Sequence, residues 1–243
     1  MQRKLTFCLG IIVLLKFTAC NNIPVEEPDI TVSEQPQIIG VSVWDRISSR
    51  SEPRRSSTST TLLSLGESFQ YLDSFAIDSS YNNTKFLKAR LSDSSIVWLY
   101  GFASVLDAKP VAITNEVPLY MRPDLLTITE RRINTMEIVA VIEEWDDWIK
   151  VVNEKKEKVG WIKKEFITEN TIDLAFALLA KRKLEEEDAE QRIRNLEDLL
   201  ENNPYPSSIF VSELGKILDL EKETLRESQY NRDREDQNRR RRN

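Results

Sequence analysis

The chain has 243 residues, 34 basic and 40 acidic side chains, a net charge of −6 and no histidine. That length allows one domain or several small ones, and the acidic balance argues against nucleic acid as a general partner. With no histidine and only two cysteines, Ser-His and Cys-His catalysis and every ordinary zinc site are excluded. There are six glycines, with no phosphate-cradling glycine loop and no calcium-loop spacing, so neither a cofactor nor a metal is expected.

Arg3 and Lys4 precede an apolar run from Leu5 to Leu15, which Lys16 and the tetrapeptide Phe17-Thr18-Ala19-Cys20 follow. A basic start, an apolar segment and a processing site make an export signal, and the run is about half the roughly 20 residues that a membrane-spanning helix needs. Bulky Phe17 suits ordinary signal peptidase poorly. A bulky apolar residue before Thr-Ala-Cys instead resembles the lipobox of bacterial lipoproteins, with Phe17 replacing the commonest Leu in a way similar to spirochaete and Bacteroidetes lipoproteins. The resemblance implies that residues 1–19 are a lipoprotein signal peptide, that lipid is attached to Cys20, and that the protein is anchored to a membrane through it. Cys8 leaves with the signal peptide, so one mature chain holds no disulfide; the cut removes Arg3, Lys4 and Lys16 and no acid, leaving the net charge three units more negative. Residues 20–37 are polar and acidic with Pro24, Pro28 and Pro36, the composition of a flexible tether. Asn21 and Asn22 stand where acidic residues often signal inner-membrane retention, which favours the outer membrane.

Beyond the tether the chain repeats itself. Leu65-Gly-Glu-Ser-Phe-Gln-Tyr-Leu72 aligns with Thr135-Met-Glu-Ile-Val-Ala-Val-Ile142, both alternating apolar and polar positions as half-buried strands do. Phe86-Leu-Lys-Ala-Arg-Leu91 aligns with Trp148-Ile-Lys-Val-Val152, Val97-Trp98-Leu99 with Gly160-Trp161-Ile162, and the openings Val43-Trp44-Asp-Arg46 with Leu119-Tyr120-Met-Arg122. The pattern predicts two copies of a small β module, over residues 38–107 and 110–170, with Phe86, Trp98, Trp148 and Trp161 in the core or at its ends. In the first copy, residues 48–61 and 74–84 form longer polar stretches, read as expanded loops that build a binding surface or as plain disordered insertions.

The second copy runs through a Leu119-Tyr120-x-Arg122-Pro123 strand and turn, a Glu137-x-Val-x-Val-Ile142 strand, Trp148-Ile-Lys-Val-Val152 and a closing Val159-Gly160-Trp161-Ile162. This order resembles the bacterial SH3 (SH3b) family. Pro123-Asp124 replaces the family's frequent Gly-Pro after the opening arginine, and no glycine precedes Trp98. The resemblance implies a mainly β fold with an α-helical C-terminus: two small SH3-like β-barrels in tandem followed by a helical hairpin. It also implies an envelope protein that binds a peptide, glycan or protein ligand, with Trp44, Tyr120 and Trp145 as candidate contacts; members of the family are usually attached to an enzyme, and the missing histidine makes this chain a non-enzymatic one by expectation. An envelope assembly factor acting through the C-terminal helices, and a surface adhesin for host proteins, are the alternatives.

After Asn170 the apolar period lengthens to that of a helix. Ile172, Phe176, Leu179, Ala189, Ile193 and Leu196 share one face; Asn202-Asn-Pro-Tyr-Pro206 stops the stripe, and Phe210, Leu214 and Leu225 mark a second, shorter helix. A hairpin over residues 171–228 and a solvated charged tail over 229–243 follow. The remaining catalytic candidates are Glu143, Glu144, Asp146 and Asp147, which flank Trp145. A glycosidase needs two carboxylates across a sugar, one with a raised pKa, whereas acids crowded into one turn are expected to be solvated and close to normal.

Overall fold

The computed structural model describes residues 37–242, so Cys20, the signal segment and the tether lie outside the described residues. Fourteen strands form two antiparallel sheets. The first holds β1 (Ile39–Ser42), β2 (Ile47–Arg50), β3 (Ser59–Leu63), β4 (Ser68–Asp78), β5 (Thr84–Arg90), β6 (Ile96–Tyr100) and β7 (Ser104–Leu106). The second holds β8 (Lys109–Ile113), β9 (Val117–Tyr120), β10 (Ile128–Ile133), β11 (Ile138–Trp145), β12 (Trp148–Val152), β13 (Val159–Lys163) and β14 (Ile167–Thr168). Their strand orders, β3-β2-β6-β5-β4-β1-β7 and β10-β9-β13-β12-β11-β8-β14, are the same order shifted by seven strands. Each ladder is open at its outer strands.

Residue pairing makes the repeat quantitative. Trp98 lies opposite Lys88 as Trp161 lies opposite Lys150, and Tyr71 lies opposite Ala89 as Val141 lies opposite Val151. These registers match three of the four sequence alignments. The fourth, between the openings, is corrected: Arg50 pairs with Trp98 where Tyr120 pairs with Trp161, so the counterpart of Tyr120 is Arg50. Trp44 sits in the turn between β1 and β2.

The strands alternate as a half-buried sheet requires. Leu119, Ile149, Val151 and Ile162 point into the core of the second sheet, leaving Tyr120, Trp148, Lys150 and Trp161 on the other face. Gly160 is needed at its position, because a Cβ there would meet Leu119 Cδ2 and the Tyr120 carbonyl oxygen, each at 3.1 Å. The first sheet has its own core of Leu63, Phe69, Ala89, Leu91, Val97 and Leu99. Its two polar stretches are ordered: β4 runs on to Asp78 because Phe75 and Ile77 find partners in Leu87 and Lys85 across the hairpin.

Three helices follow, α1 (Thr171–Leu184), α2 (Ala189–Glu201) and α3 (Val211–Arg242). The stripe read as one long helix breaks at Glu185–Asp188, because the Asp188 carboxylate caps a new helix by accepting from the Gln191 amide at 2.7 Å. The charged C-terminal segment, expected to be a frayed tail, continues α3 to Arg242. Phe176, Ala177, Leu196, Phe210 and Leu214 pack with Ala112, Met136 and Ile138 of the second sheet, so the apolar stripe is spent on the protein's own sheet. Among the described residues no helix is long and apolar enough to cross a membrane.

Asp173 ties the helices to that sheet. Its buried carboxylate accepts from Thr168 Oγ1 at 2.9 Å, from Ser208 Oγ at 2.9 Å and from the Ile209 amide at 3.0 Å, joining β14, α1 and the α2–α3 connection. Asp173→Ala is expected to lower unfolding stability by about 2–3 kcal/mol, since hydrogen bonds to a charged group are worth about 1.5–3 kcal/mol each where water cannot replace them, and of the three donors only Ser208 is buried. Asp173→Asn should recover part of the loss, and equal denaturant midpoints for Asp173→Ala and the parent would refute this role.

Candidate functional site

The structure brings two of the three candidate aromatics to one face. Trp145 ends β11 directly opposite Trp148, and the Tyr120 ring meets the Trp148 ring edge-on with centroids 5.0 Å apart. Trp161 stands opposite Tyr120, which extends the row to a fourth strand. Lys163 Nζ lies 4.3 Å from the Trp148 centroid and Lys150 Nζ 5.7 Å from that of Trp161, so cations cover the faces of the inner two indoles. Trp148 and Trp161 are buried, whereas Trp145 is 65% exposed. Trp44 belongs elsewhere: half-buried, it packs edge-on against Phe102 at 5.1 Å, beside the first sheet's cluster of Phe86 and Tyr100.

The sequence reading missed the loop that leaves Tyr120. Between β9 and β10, Met121, Leu125, Leu126 and Ile128 all face solvent, Leu126 at 92% exposure. Asp124 shapes the loop by accepting from the Leu126 amide at 2.9 Å, and Thr127 Oγ1 donates to the carbonyl oxygens of Arg122 and Asp124. Adjacent leucines right after Pro123-Asp124, a turn pair, break the alternation of the flanking strands; that was the available signal. Four exposed apolar side chains on one loop are more than the single scattered ones that any surface carries.

The acids around Trp145 are exposed to solvent, as expected, but two of them, Glu144 and Asp147, depart from their ordinary values. Hydrogen bonds from Lys109 and Lys164, with their positive charges, pull Glu144 down from 4.5 to about 2. A hydrogen bond from Lys163 holds Asp147 below its usual value, and Lys150 pairs with Glu143 at 3.2 Å. A carboxyl that ionises near 2 carries no proton to donate at neutral pH, so Glu144 is unsuited to general acid catalysis. Among the described residues no group of three His, Cys, Asp or Glu side chains is placed to hold a metal ion.

No family model matches the chain, and no curated protein matches it. Among solved structures it is similar to NlpC2 from Trichomonas vaginalis, at 15% identity and a TM-score of 0.25 over 68% of this chain and 56% of that one. It is also similar to NlpC1 from the same organism, at 16% identity and a TM-score of 0.24 over 62% and 54%. The chain spans little more than half the length of these two proteins, and at such TM-scores the likeness assigns neither fold nor activity.

Glu144 gives a pH prediction with a definite sign. Its folded pKa is depressed, so its contribution to stability is fully present above about pH 4.5 and is lost as pH falls toward about 2. In an NMR titration of side-chain carboxyls, Glu144 should titrate well below the exposed glutamates, and Lys109→Met should raise its midpoint. A Glu144 midpoint near 4.5 would contradict the double lysine clamp.

Proposed function

We propose that the chain is a lipid-anchored cell-envelope protein, held to the membrane through Cys20, that binds a peptide, glycan or protein ligand and carries out no catalysis. In this reading the two seven-stranded units are SH3b-like barrels in tandem, and the second presents the ligand surface. One observation carries it: exposed Trp145 stands beside the Tyr120–Trp148 pair, and the exposed Met121–Ile128 loop continues from Tyr120. An aromatic anchor ringed by apolar and charged groups is what protein and glycan partners use as a hot spot. Two rivals lose ground on packing. A helical assembly factor would need an apolar helix face that here is buried against β8 and β11. An adhesin working through long floppy loops of the first copy would need them free, whereas the Arg55 amide donates to Asp78 at 3.0 Å and the Arg55 guanidinium stacks 3.8 Å over the Tyr81 ring.

Two measurements test the reading. Cys20→Ala should leave an unprocessed precursor without lipid, because only a thiol accepts the diacylglyceryl group; labelled fatty acid on that variant would refute the anchor. The purified chain should cosediment with peptidoglycan sacculi and release no muropeptides, and Trp145→Ala should reduce cosedimentation about tenfold or more with little change in melting temperature. Muropeptide release that depends on Glu143, Glu144, Asp146 or Asp147 would overturn the non-catalytic assignment.

A further inference from the structure

The two sheets differ in charge on their outward faces. In the first, Arg50, Trp98 and Lys88 lie opposite one another on β2, β6 and β5, and Arg90, two residues beyond Lys88, lies opposite Ile96. All five point away from the core that Ala89, Val97 and Leu99 fill. Phe86 and Tyr100 close this face only toward the β4–β5 hairpin. Toward the β5–β6 turn, Arg90 and Ile96 are exposed and Trp98 is half-buried.

The second sheet supplies the control. There Tyr120, Trp161 and Lys150 form the corresponding row, and Val152 and Val159 stand where the first sheet has Arg90 and Ile96. Lys150 is matched by Glu143 at 3.2 Å, and Trp161 is buried. The first sheet keeps the indole and the ammonium group, adds two guanidinium groups and lacks the carboxylate. Among the described residues its three cations touch only neutral groups. Arg50 donates to the Tyr100 hydroxyl and to the Ser57 carbonyl, each at 3.0 Å, Arg90 donates to the Gln70 side chain at 3.3 Å, and Lys88 Nζ lies 5.9 Å from the Trp98 centroid. Of the nearby acids, Asp93 is turned into the β5–β6 turn by the Ser95 amide at 2.9 Å, and Asp78 is buried against Ser80 and the Arg55 amide. Three unmatched positive charges on one face run against the net charge of −6. Salt screens charges over about 8 Å at physiological strength, so the row acts locally despite the acidic balance of the chain.

We infer that this row of the first sheet is a second binding face, independent of the Trp145 surface, and that its ligand is an acidic glycan, a chain of sugars bearing carboxylates. Geometry and charge select the class. Arg50 and Lys88 stand two inter-strand spacings apart, about 10 Å, with the indole between them; one sugar ring seats on Trp98 with an anionic group at either side. A peptide that adds a strand needs a free sheet edge, whereas β5 and β6 are interior strands paired on both sides. A bilayer needs a broad apolar face, and here Ile96 is the one exposed aliphatic side chain in the two rows.

The full chain, carrying 15N in its five indoles, is titrated with tetragalacturonate and, in parallel, with neutral maltotetraose, a hexaglutamate peptide and phosphatidylglycerol vesicles. Tetragalacturonate should shift the Trp98 indole saturably, leave Trp145 in place and bind more weakly as salt rises; the other three probes should bind about tenfold more weakly or not at all. Lys88→Gln and Arg90→Gln should each weaken tetragalacturonate about fivefold, the scale of one exposed charge pair, with the melting temperature little changed. Lys150→Gln, at the corresponding position of the second sheet, should leave the affinity as it is. An unmoved Trp98, full affinity in both first-sheet variants, or equal affinity for maltotetraose, the peptide or the vesicles would overturn the inference. A shift confined to Trp145 would also overturn it, while leaving the proposed function of the Trp145 surface standing.

Discussion

The geometry of the molecule depends on one charged contact, the two-pronged pair between Arg182 and Asp45. Arg182 on α1 reaches the β1–β2 turn, donating to the two Asp45 oxygens at 2.9 and 2.7 Å and to Ser64 Oγ at 3.1 Å. Burial pushes the Asp45 carboxyl up, but the Arg182 guanidinium and the Leu65 amide outweigh it and hold the group below its ordinary value. A forked guanidinium fixes direction as well as distance, so helix and turn are locked in angle. Two backbone contacts close the same junction: the Lys155 amide donates to the Val43 carbonyl at 2.8 Å, and Lys156 Nζ donates to the Ser104 carbonyl at 3.0 Å. A buried pair of this kind adds little net stability compared with an apolar replacement, and its value lies in specifying one arrangement. Here the arrangement it specifies is that of α1 against the β1–β2 turn of the first sheet.

Within that frame the two copies have diverged on one face. Where the second copy has Tyr120, Trp148 and Trp145, the first has Arg50, Phe86 and Ala76. The first copy's face is filled from within: Phe86 is fully buried against Tyr100, and Arg50 Nε donates to the Tyr100 hydroxyl at 3.0 Å. Its longer β4–β5 hairpin reaches the β2–β3 turn through Asp78 and Arg55. The second copy's hairpin turns at Asp146, leaving Trp145 in solvent. A single fold thus carries one closed face and one open face, and the difference comes from hairpin length and three side chains.

How much of this the sequence disclosed follows from the strength of each signal. The central strands were legible because Phe86 and Trp148, and Trp98 and Trp161, are large aromatics at matching spacings within short alternating runs. The opening strand was misaligned because Trp44 and Tyr120 each precede an arginine by two positions, and that local likeness masked a shift of register. The break between α1 and α2 was hidden because Ala189, Ile193 and Leu196 carry on the apolar face while the cap at Asp188 sits among other acids. Nothing in one sequence tells that Glu144 is clamped, since Lys109 and Lys164 are brought to it from β8 and from the end of β13 only by folding.

That clamp bears on why the acids surround Trp145 at all. Glu143 is held by Lys150, Glu144 by Lys109 and Lys164, and Asp147 by Lys163, so β11 and its turn are pinned to β8, β12 and the region of β13. Each exposed pair contributes little by itself, about 0–1 kcal/mol. Several acting on one hairpin restrict how it moves, and an aromatic presented on a restricted hairpin loses less freedom when a partner covers it. Their pKa values lowered by lysine partners, Glu144 and Asp147 are removed from proton transfer and become fixed counter-charges. Three of the carboxylates that look catalytic in the sequence, Glu143, Glu144 and Asp147, are therefore ion-paired once folded and tie down the hairpin that carries Trp145.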